Sequence, residues 1–352
     1  MRKILVISIM CIVALSCSRI EKPLMHEIGF DAPSVDVPTR TTDLITGPGQ
    51  MEAAGISVFA SKSVGESGTM FMNNVKVYKK DDIWGYDDHM YHWSPGASHK
   101  FFGIYPYCGA SDPLTYEVNI SSRALEVYGK AKTAPATGYY PIKTGVAEGG
   151  CPDILFSVVS YDEPFDLMSD PGPVVFNMRH AGAVVTLNVI NKSDYVITDV
   201  IGSLKGATTV LPGLYDTAQK VVIDTESSTP AVWEGLGLGD GTFGFSQPDL
   251  NLAVGARIDQ VFQEIVIPQN INAVASGKDK LYLHFSVTFN DNSDSSYTIC
   301  LADIPLTGQK PEYLKTWLPG KNYVYNLNVT SDYITCSVSV VDWIEDDMID
   351  LN

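Results

Sequence analysis

The chain is a succession of short segments in which apolar and polar residues alternate, separated by clusters of Gly, Pro, Asn, Asp and Ser. Gly55-Ile56-Ser57-Val58-Phe59-Ala60 and Asn74-Val75-Lys76-Val77-Tyr78 follow this pattern, and Lys100-Phe101-Phe102-Gly103-Ile104-Tyr105-Pro106 is aromatic and stops at a proline. In the second half, residues 183–190, 280–287 and 323–329 give the clearest runs. A period of two sends neighbouring side chains to opposite faces of a pleated strand, whereas a helix needs apolar residues three and four apart. No long stretch keeps the helical spacing, so the expectation is an all-β chain of antiparallel β-sandwiches with little helix. The length suits two such domains, each able to bury its own core. The loop Ser169-Asp170-Pro171-Gly172-Pro173 is rich in residues that strands avoid, and it is the expected boundary between a domain at 41–172 and one at 173–352.

At the N-terminus Arg2 and Lys3 precede an apolar run over residues 4–15 that is too short to span a bilayer comfortably. Residues 1–16 read as a signal peptide to be removed. Ala14-Leu15-Ser16-Cys17 resembles a bacterial lipobox, which implies acylation of Cys17 and a lipid anchor in a membrane. Removing residues 1–16 takes away two positive charges and no negative ones, so the formal net charge of −17 becomes −19. That balance excludes nucleic acid as a partner, because phosphate backbones are held through Lys and Arg. An apolar content of 45% excludes wholesale disorder.

The chemistry-bearing residues form few constellations. Cys108, Cys151, Cys300 and Cys336 lie beyond Cys17. Pairing within each half is the simplest disulfide arrangement for an exported chain, and free buried thiols are the alternative. No spacing supports metal ligation, and no cofactor is expected. His89 and His92 stand among carboxylates, but three residues apart on a strand they face opposite ways. His180 is expected to be a structural hydrogen-bonding residue, since no Gly-x-Ser-x-Gly motif accompanies it. Trp84, Tyr86, Tyr91 and Trp93 read either as sandwich core or as a sugar-stacking platform. Asn191-Lys192-Ser193 matches a glycosylation sequon, a weak signal in a bacterial chain.

An ordered series of segments resembles the fimbrillin, or Mfa-like, superfamily that builds type V pili. It begins with Glu27-Ile28-Gly29-Phe30 and Val37-Pro38-Thr39-Arg40, and continues through Ile56-Ser57-Val58-Phe59-Ala60, Phe71-Met72-Asn73-Asn74-Val75 and Tyr91-His92-Trp93-Ser94-Pro95. Phe101-Phe102-Gly103-Ile104-Tyr105-Pro106, Asp153-Ile154-Leu155-Phe156-Ser157 and the histidine-bearing stretch 175–187 follow in order. Residues 323–327 and Ser339-Val340-Val341-Asp342-Trp343 resemble the closing strands.

The resemblance implies two tandem transthyretin-like antiparallel β-sandwich domains in a structural pilus subunit (stalk, tip or anchor), not an enzyme. It implies a lipoprotein at the cell outer membrane whose first strand, within 17–40, is removed by an Arg-specific protease. Arg40 and Thr41 would flank the cut, in a segment where Pro33 and Pro38 favour extended, accessible backbone. The partners would be other pilus subunits, in a homo- or hetero-polymer, and host or bacterial surface receptors. In such assembly a neighbour's C-terminal strand fills the emptied groove. The candidate donor is the tail 334–352, where Ile334, Cys336, Val338 and Val340 share one face. Pairing of the same strand inside its own domain is an equal expectation. The alternative function is a monomeric surface lipoprotein that binds host glycans or proteins without polymerising.

Overall fold

The computed structural model describes residues 26–35, 48–64, 67–87, 89–109, 114–119, 124–130, 139–140, 142–143, 153–164, 170–207, 211, 213–224, 231–238, 243–272, 274, 277–307 and 313–342. Within them the chain is strand after strand, with one α-helix at Pro48–Ala54 and a 3-10 turn at Leu301–Asp303. The expected strands form at Ile56–Val64, Ser67–Lys80, Ser98–Tyr105, Ala183–Asn191, Tyr282–Phe289 and Lys321–Val329. Tyr282–Phe289 alternates half-buried and buried residues along its whole length, as its period-two sequence requires.

A seven-stranded sheet runs in the order Ser34–Val35, Asn177–His180, Leu155–Tyr161, Ser98–Tyr105, Ile56–Val64, Ser67–Lys80 and Ile83–Gly85. Its central strands are buried on both faces, which explains why residues 56–60 and 101–104 read as nearly unbroken apolar runs. Phe59, Phe102, Ile104 and Phe156 point to one side, where they meet Leu125, Val127, Val221, Ile223 and Trp233. Those partners belong to a second sheet in which Lys220–Asp224 pairs with both Ala231–Glu234 and Ala124–Lys130, and Leu114–Asn119 pairs with Ala124–Lys130. Val58, Ala60, Phe101 and Leu155 point to the opposite side, into a separate core with Ile28, Phe30, Met51, Trp84, Trp93, Phe176 and Met178. Strands from both sides of the 169–173 loop therefore share these sheets: Asn177–His180 joins the first, and Lys220–Asp224 the second.

Eight further strands form a sandwich of two four-stranded sheets. One is ordered Arg257–Val266, Ala183–Asn191, Lys321–Val329, Ile334–Asp342, and the other Phe243–Gln247, Ile197–Lys205, Tyr282–Phe289, Asp294–Cys300. Leu187, Tyr323, Tyr325 and Leu327 meet Val200, Leu204, Leu283, Phe285 and Val287 between them. Trp317 is fully buried and its Nε1 donates to the Tyr325 hydroxyl at 3.1 Å. Among the named strands, pairing is antiparallel except where Ser34–Val35 lies parallel to Asn177–His180 and Ala183–Asn191 lies parallel to Lys321–Val329. Parallel neighbours cannot be joined by a tight hairpin, and these are separated by long excursions of chain. Among the described residues no helix is long and apolar enough to cross a membrane.

Two polar residues hold the junctions. His180 Nδ1 lies 3.0 Å from Asp153 Oδ1 in a fully buried pair, so His180 is a structural hydrogen-bonding residue. Asn191, the sequon residue, is fully buried: its Nδ2 donates to the carbonyls of Tyr195 and Leu252 at 2.8 and 2.9 Å, and its Oδ1 accepts from the Ser193 amide and hydroxyl. Its amide is a crosslink between turns, with no freedom to carry a glycan. Cys300 and Cys336 are free thiols on different sheets, and the buried Cys108 Sγ lies 3.2 Å from the Tyr116 hydroxyl; Cys151 lies outside the described residues. Asn191→Ala should lower stability by about 1–3 kcal/mol, because it leaves buried polar groups without partners. A urea midpoint within error of wild type would contradict this.

Candidate functional site

Among the described residues, no named strand outside the seven-stranded sheet contributes to the core on its outer face. Part of its cover is the N-terminal segment 26–35. This segment lies as an extended strand between two others. On one side the Ile28 amide donates to the Tyr91 carbonyl at 2.8 Å and the Trp93 amide donates to the His26 carbonyl at 3.0 Å. On the other side the Val174 amide donates to Gly29 at 2.9 Å, the Asp31 amide to Val174 at 3.1 Å and the Ser34 amide to Phe176 at 3.0 Å. Ser34–Val35 then continues in parallel register with Asn177 and Met178. Backbone bonds thus hold residues 26–28 on one edge and residues 29–35 on the other.

Side chains anchor the same segment. Ile28 and Phe30 are buried, and the Phe30 ring stacks on Phe176 at 6.0 Å and meets Tyr86 and Phe101 edge-on at 5.9 and 6.5 Å. Burial of each side chain contributes about 1.5–3 kcal/mol. Gly103 permits the approach of the floor, since a Cβ there would stand 2.9 Å from the Phe176 ring. The Tyr86 hydroxyl donates to the Ile28 carbonyl at 3.0 Å, and burial pushes its pKa up to about 12. At the ends of the seat His26 Nδ1 stands 3.6 Å from Asp170, and the Ser34 hydroxyl donates to Asn177 at 2.6 Å.

Trp93 and Phe101 extend the floor towards His99, which is buried among Phe71, Trp93 and Phe101. Burial, and then the nearby Lys62 charge, push the His99 pKa down to about 4. Its Nε2 accepts a 3.2 Å bond from the Ser94 amide, which fits a neutral ring. Trp84 and Trp93 are 6% and 3% exposed in this core, so they pack and offer no stacking surface. Sequence reasoning found Ile28 and Phe30 but not the floor residues Phe176 and Tyr86, whose alternation with polar neighbours was the available signal.

Cys17, Arg40 and Thr41 lie outside the described residues. The candidate donor residues lie in another sheet from the seat. Ile334–Asp342 is an edge strand paired with Lys321–Val329 over nine residues, from Lys321 opposite Asp342 to Val329 opposite Ile334. Val338 is fully buried, Ile334 and Cys336 are half-buried against the core, and Val340 is 38% exposed. On its outer edge the Val338 amide donates to the Pro305 carbonyl at 3.3 Å and its carbonyl accepts from the Thr307 amide at 2.9 Å. Among the described residues no group of three or more His, Cys, Asp or Glu is placed to hold a metal ion.

A family model described as fimbrillin-like matches residues 39–343. The chain belongs to the fimbrillin-like family. A fimbrial protein from Bacteroides vulgatus ATCC 8482 superimposes with a TM-score of 0.54 at 16% identity, covering 90% of this chain and 99% of that one, which shows a shared fold. A fimbrilin from Porphyromonas gingivalis W83 aligns over 90% of this chain and 97% of its own at 11% identity and a TM-score of 0.40. No curated protein matches. Within this fimbrillin-like chain, the neutral His99 has a measurable consequence. Its folded pKa lies below the unfolded value of about 6.5, so its contribution to stability is full above that pH and is lost as the pH falls towards 4. His99→Gln should therefore flatten the fall in urea midpoint between pH 7 and 4.5 relative to wild type. Parallel curves for the two proteins would contradict this assignment.

Proposed function

We propose that this chain is a structural subunit of an adhesive bacterial pilus, exported as a lipoprotein through Cys17, processed between Arg40 and Thr41, and assembled by strand exchange. The observation that carries this reading is the seat of residues 26–35, a strand bonded on both edges and anchored by Ile28 and Phe30 in an apolar floor. Family membership supports the pilus, and the seat supports the manner of joining.

A cut after Arg40 detaches the segment from the chain that follows it. The segment then leaves as a separate peptide, and its departure exposes an apolar floor and two unpaired strand edges. Such a groove binds an extended strand through main-chain bonds along its edges and apolar side chains in its floor. The tail 334–352 is the proposed donor. It must first leave Lys321–Val329, and its edge position favours this: it pairs with that one named strand, and only Val338 of the four alternate residues is fully buried. The tail of one subunit then occupies the neighbour's seat and links subunits head to tail. No catalytic step is required. We place the assembled protein at the outer membrane and in the pilus, with other subunits as its partners.

Mutants at the two ends separate the two halves of the joint. Arg40→Ala should keep residues 26–35 seated, so that it donates a tail but cannot accept one. Deletion of 334–352 should leave a processed subunit that accepts but cannot donate. Each should remain monomeric alone, and the two mixed should give heterodimers that resist heat on a gel, because extraction of an inserted strand breaks many contacts at once. An Arg40→Ala protein that polymerises as wild type does would refute strand exchange at this site and favour a monomeric surface binder.

A further inference from the structure

Beside the seat, against the strand Ser67–Lys80, lies a cavity of about 360 Å³ lined by tyrosines and amides. From this geometry we propose that it is a binding site for one pyranose unit of a glycan. The inference stands apart from strand exchange, since nothing in it requires the seat to open.

The cavity arises from a defect in strand pairing. Val58 stands opposite Val75 and Ala60 opposite Met72, so Asn73 and Asn74 together face the single residue Phe59. This β-bulge breaks the alternation of the strand and turns two adjacent amides towards one place, as bulges do beside binding sites. Asn74 adopts a left-handed backbone (φ 53°). Its Nδ2 donates to the Cys108 carbonyl at 2.9 Å, which fixes the side chain, while its buried Oδ1 has no hydrogen-bond partner among the described residues. That oxygen is sealed from solvent, so the neighbouring Asn73, which is exposed and lines the cavity, is the amide within a ligand's reach.

Aromatic groups stand on both sides of these amides. On one side Tyr86 and Tyr91 pack edge-on at 5.3 Å, and His89 packs on Tyr91 at 5.0 Å. On the other side Lys76 Nζ sits 5.1 Å from the Tyr78 ring and 5.3 Å from the Tyr107 ring. Asp87 ties the sides together: it accepts from the Tyr78 hydroxyl and from Lys80 at 3.0 Å. The tyrosine hydroxyl, and then Lys80, hold its carboxyl below the usual range, so it is an acceptor.

A pyranose ring presents an apolar C–H face and a rim of hydroxyls that both donate and accept. The cavity offers aromatic surface for the face and, for the rim, amides, a carboxylate and the Lys76 ammonium. Its volume falls within the range of small-molecule sites, about 300–1,000 Å³. A wholly apolar ligand would leave these polar groups unpaired, and a quaternary ammonium would compete with Lys76 for the Tyr78 and Tyr107 faces.

The test is saturation-transfer NMR on the purified chain with the methyl glycosides of galactose, mannose, N-acetylglucosamine and N-acetylneuraminic acid as probes. At least one should bind with a Kd of about 1 mM or tighter, transfer being strongest to its ring C–H protons. Asn73→Ala and Tyr91→Ala should each weaken that binding about tenfold or more. Tyr91 also packs on Phe71, so if its alanine variant does not fold, the exposed Asn73 decides. No transfer to any of the four probes, or binding unchanged in Asn73→Ala, would overturn the assignment.

Discussion

A sheet buried on both faces needs two covers, and the seven-stranded sheet has covers of different kinds. One is a second sheet, whose Leu125, Val127, Val221 and Ile223 interlock with Phe59, Phe102 and Phe156. The other includes a single extended segment whose Ile28 and Phe30 lie in the floor made by Phe101, Phe176 and Met178. A second sheet is joined to the chain at several points and cannot leave without unfolding. The segment 26–35 is a single stretch of chain, which the proposed cut after Arg40 would part from the rest. The strand exchange proposed for this chain follows from that difference, because the same apolar floor that demands a cover accepts one delivered as a strand.

The forces that seat residues 26–35 are the ones that would hold a replacement. Main-chain bonds on both edges are independent of sequence, so any extended segment can satisfy them. The apolar floor then selects side chains that alternate correctly. Ile334, Cys336 and Val338 have this alternation, and in their own sheet they already pack inward against a core. Val340 does not follow them inside, being more than a third exposed at the end of the strand. The exchange proposed for this chain would thus be one of comparable pairings, its direction resting on which seat is more fully buried.

Much of the fold could be read from the sequence, because strand identity is a local property. Residues 56–60, 101–104 and 183–190 announce central strands by their apolar density, and residues 282–289 a half-buried strand by strict alternation. Pairing between distant strands is not local. Val221 lies opposite Val127 across 94 residues of chain, and the parallel partnership of Ala183–Asn191 with Lys321–Val329 spans more than a hundred; neither leaves a trace in periodicity. The site divides in the same way. Ile28 and Phe30 stand out as an isolated apolar pair, whereas Tyr86 and Phe176 acquire their roles only once the seat brings them together. Trp84 and Trp93 show the reverse case, since an aromatic cluster reads alike in sequence whether it packs a core or faces a ligand. The bulge at Asn73 and Asn74 was also invisible, because those two residues interrupt a strand without a glycine or proline to mark the break.

The central claim is that the seat of residues 26–35 opens as a unit while both sandwiches stay folded. Native-state hydrogen exchange measures this directly. Amides donated across the seat, those of Ile28, Asp31, Ser34, Trp93 and Val174, should exchange together, through an opening of lower free energy than that of Val185, Leu187, Tyr323 and Tyr325 in the second core. Exchange of the seat amides only through global unfolding, at the same free energy as those core amides, would contradict the account.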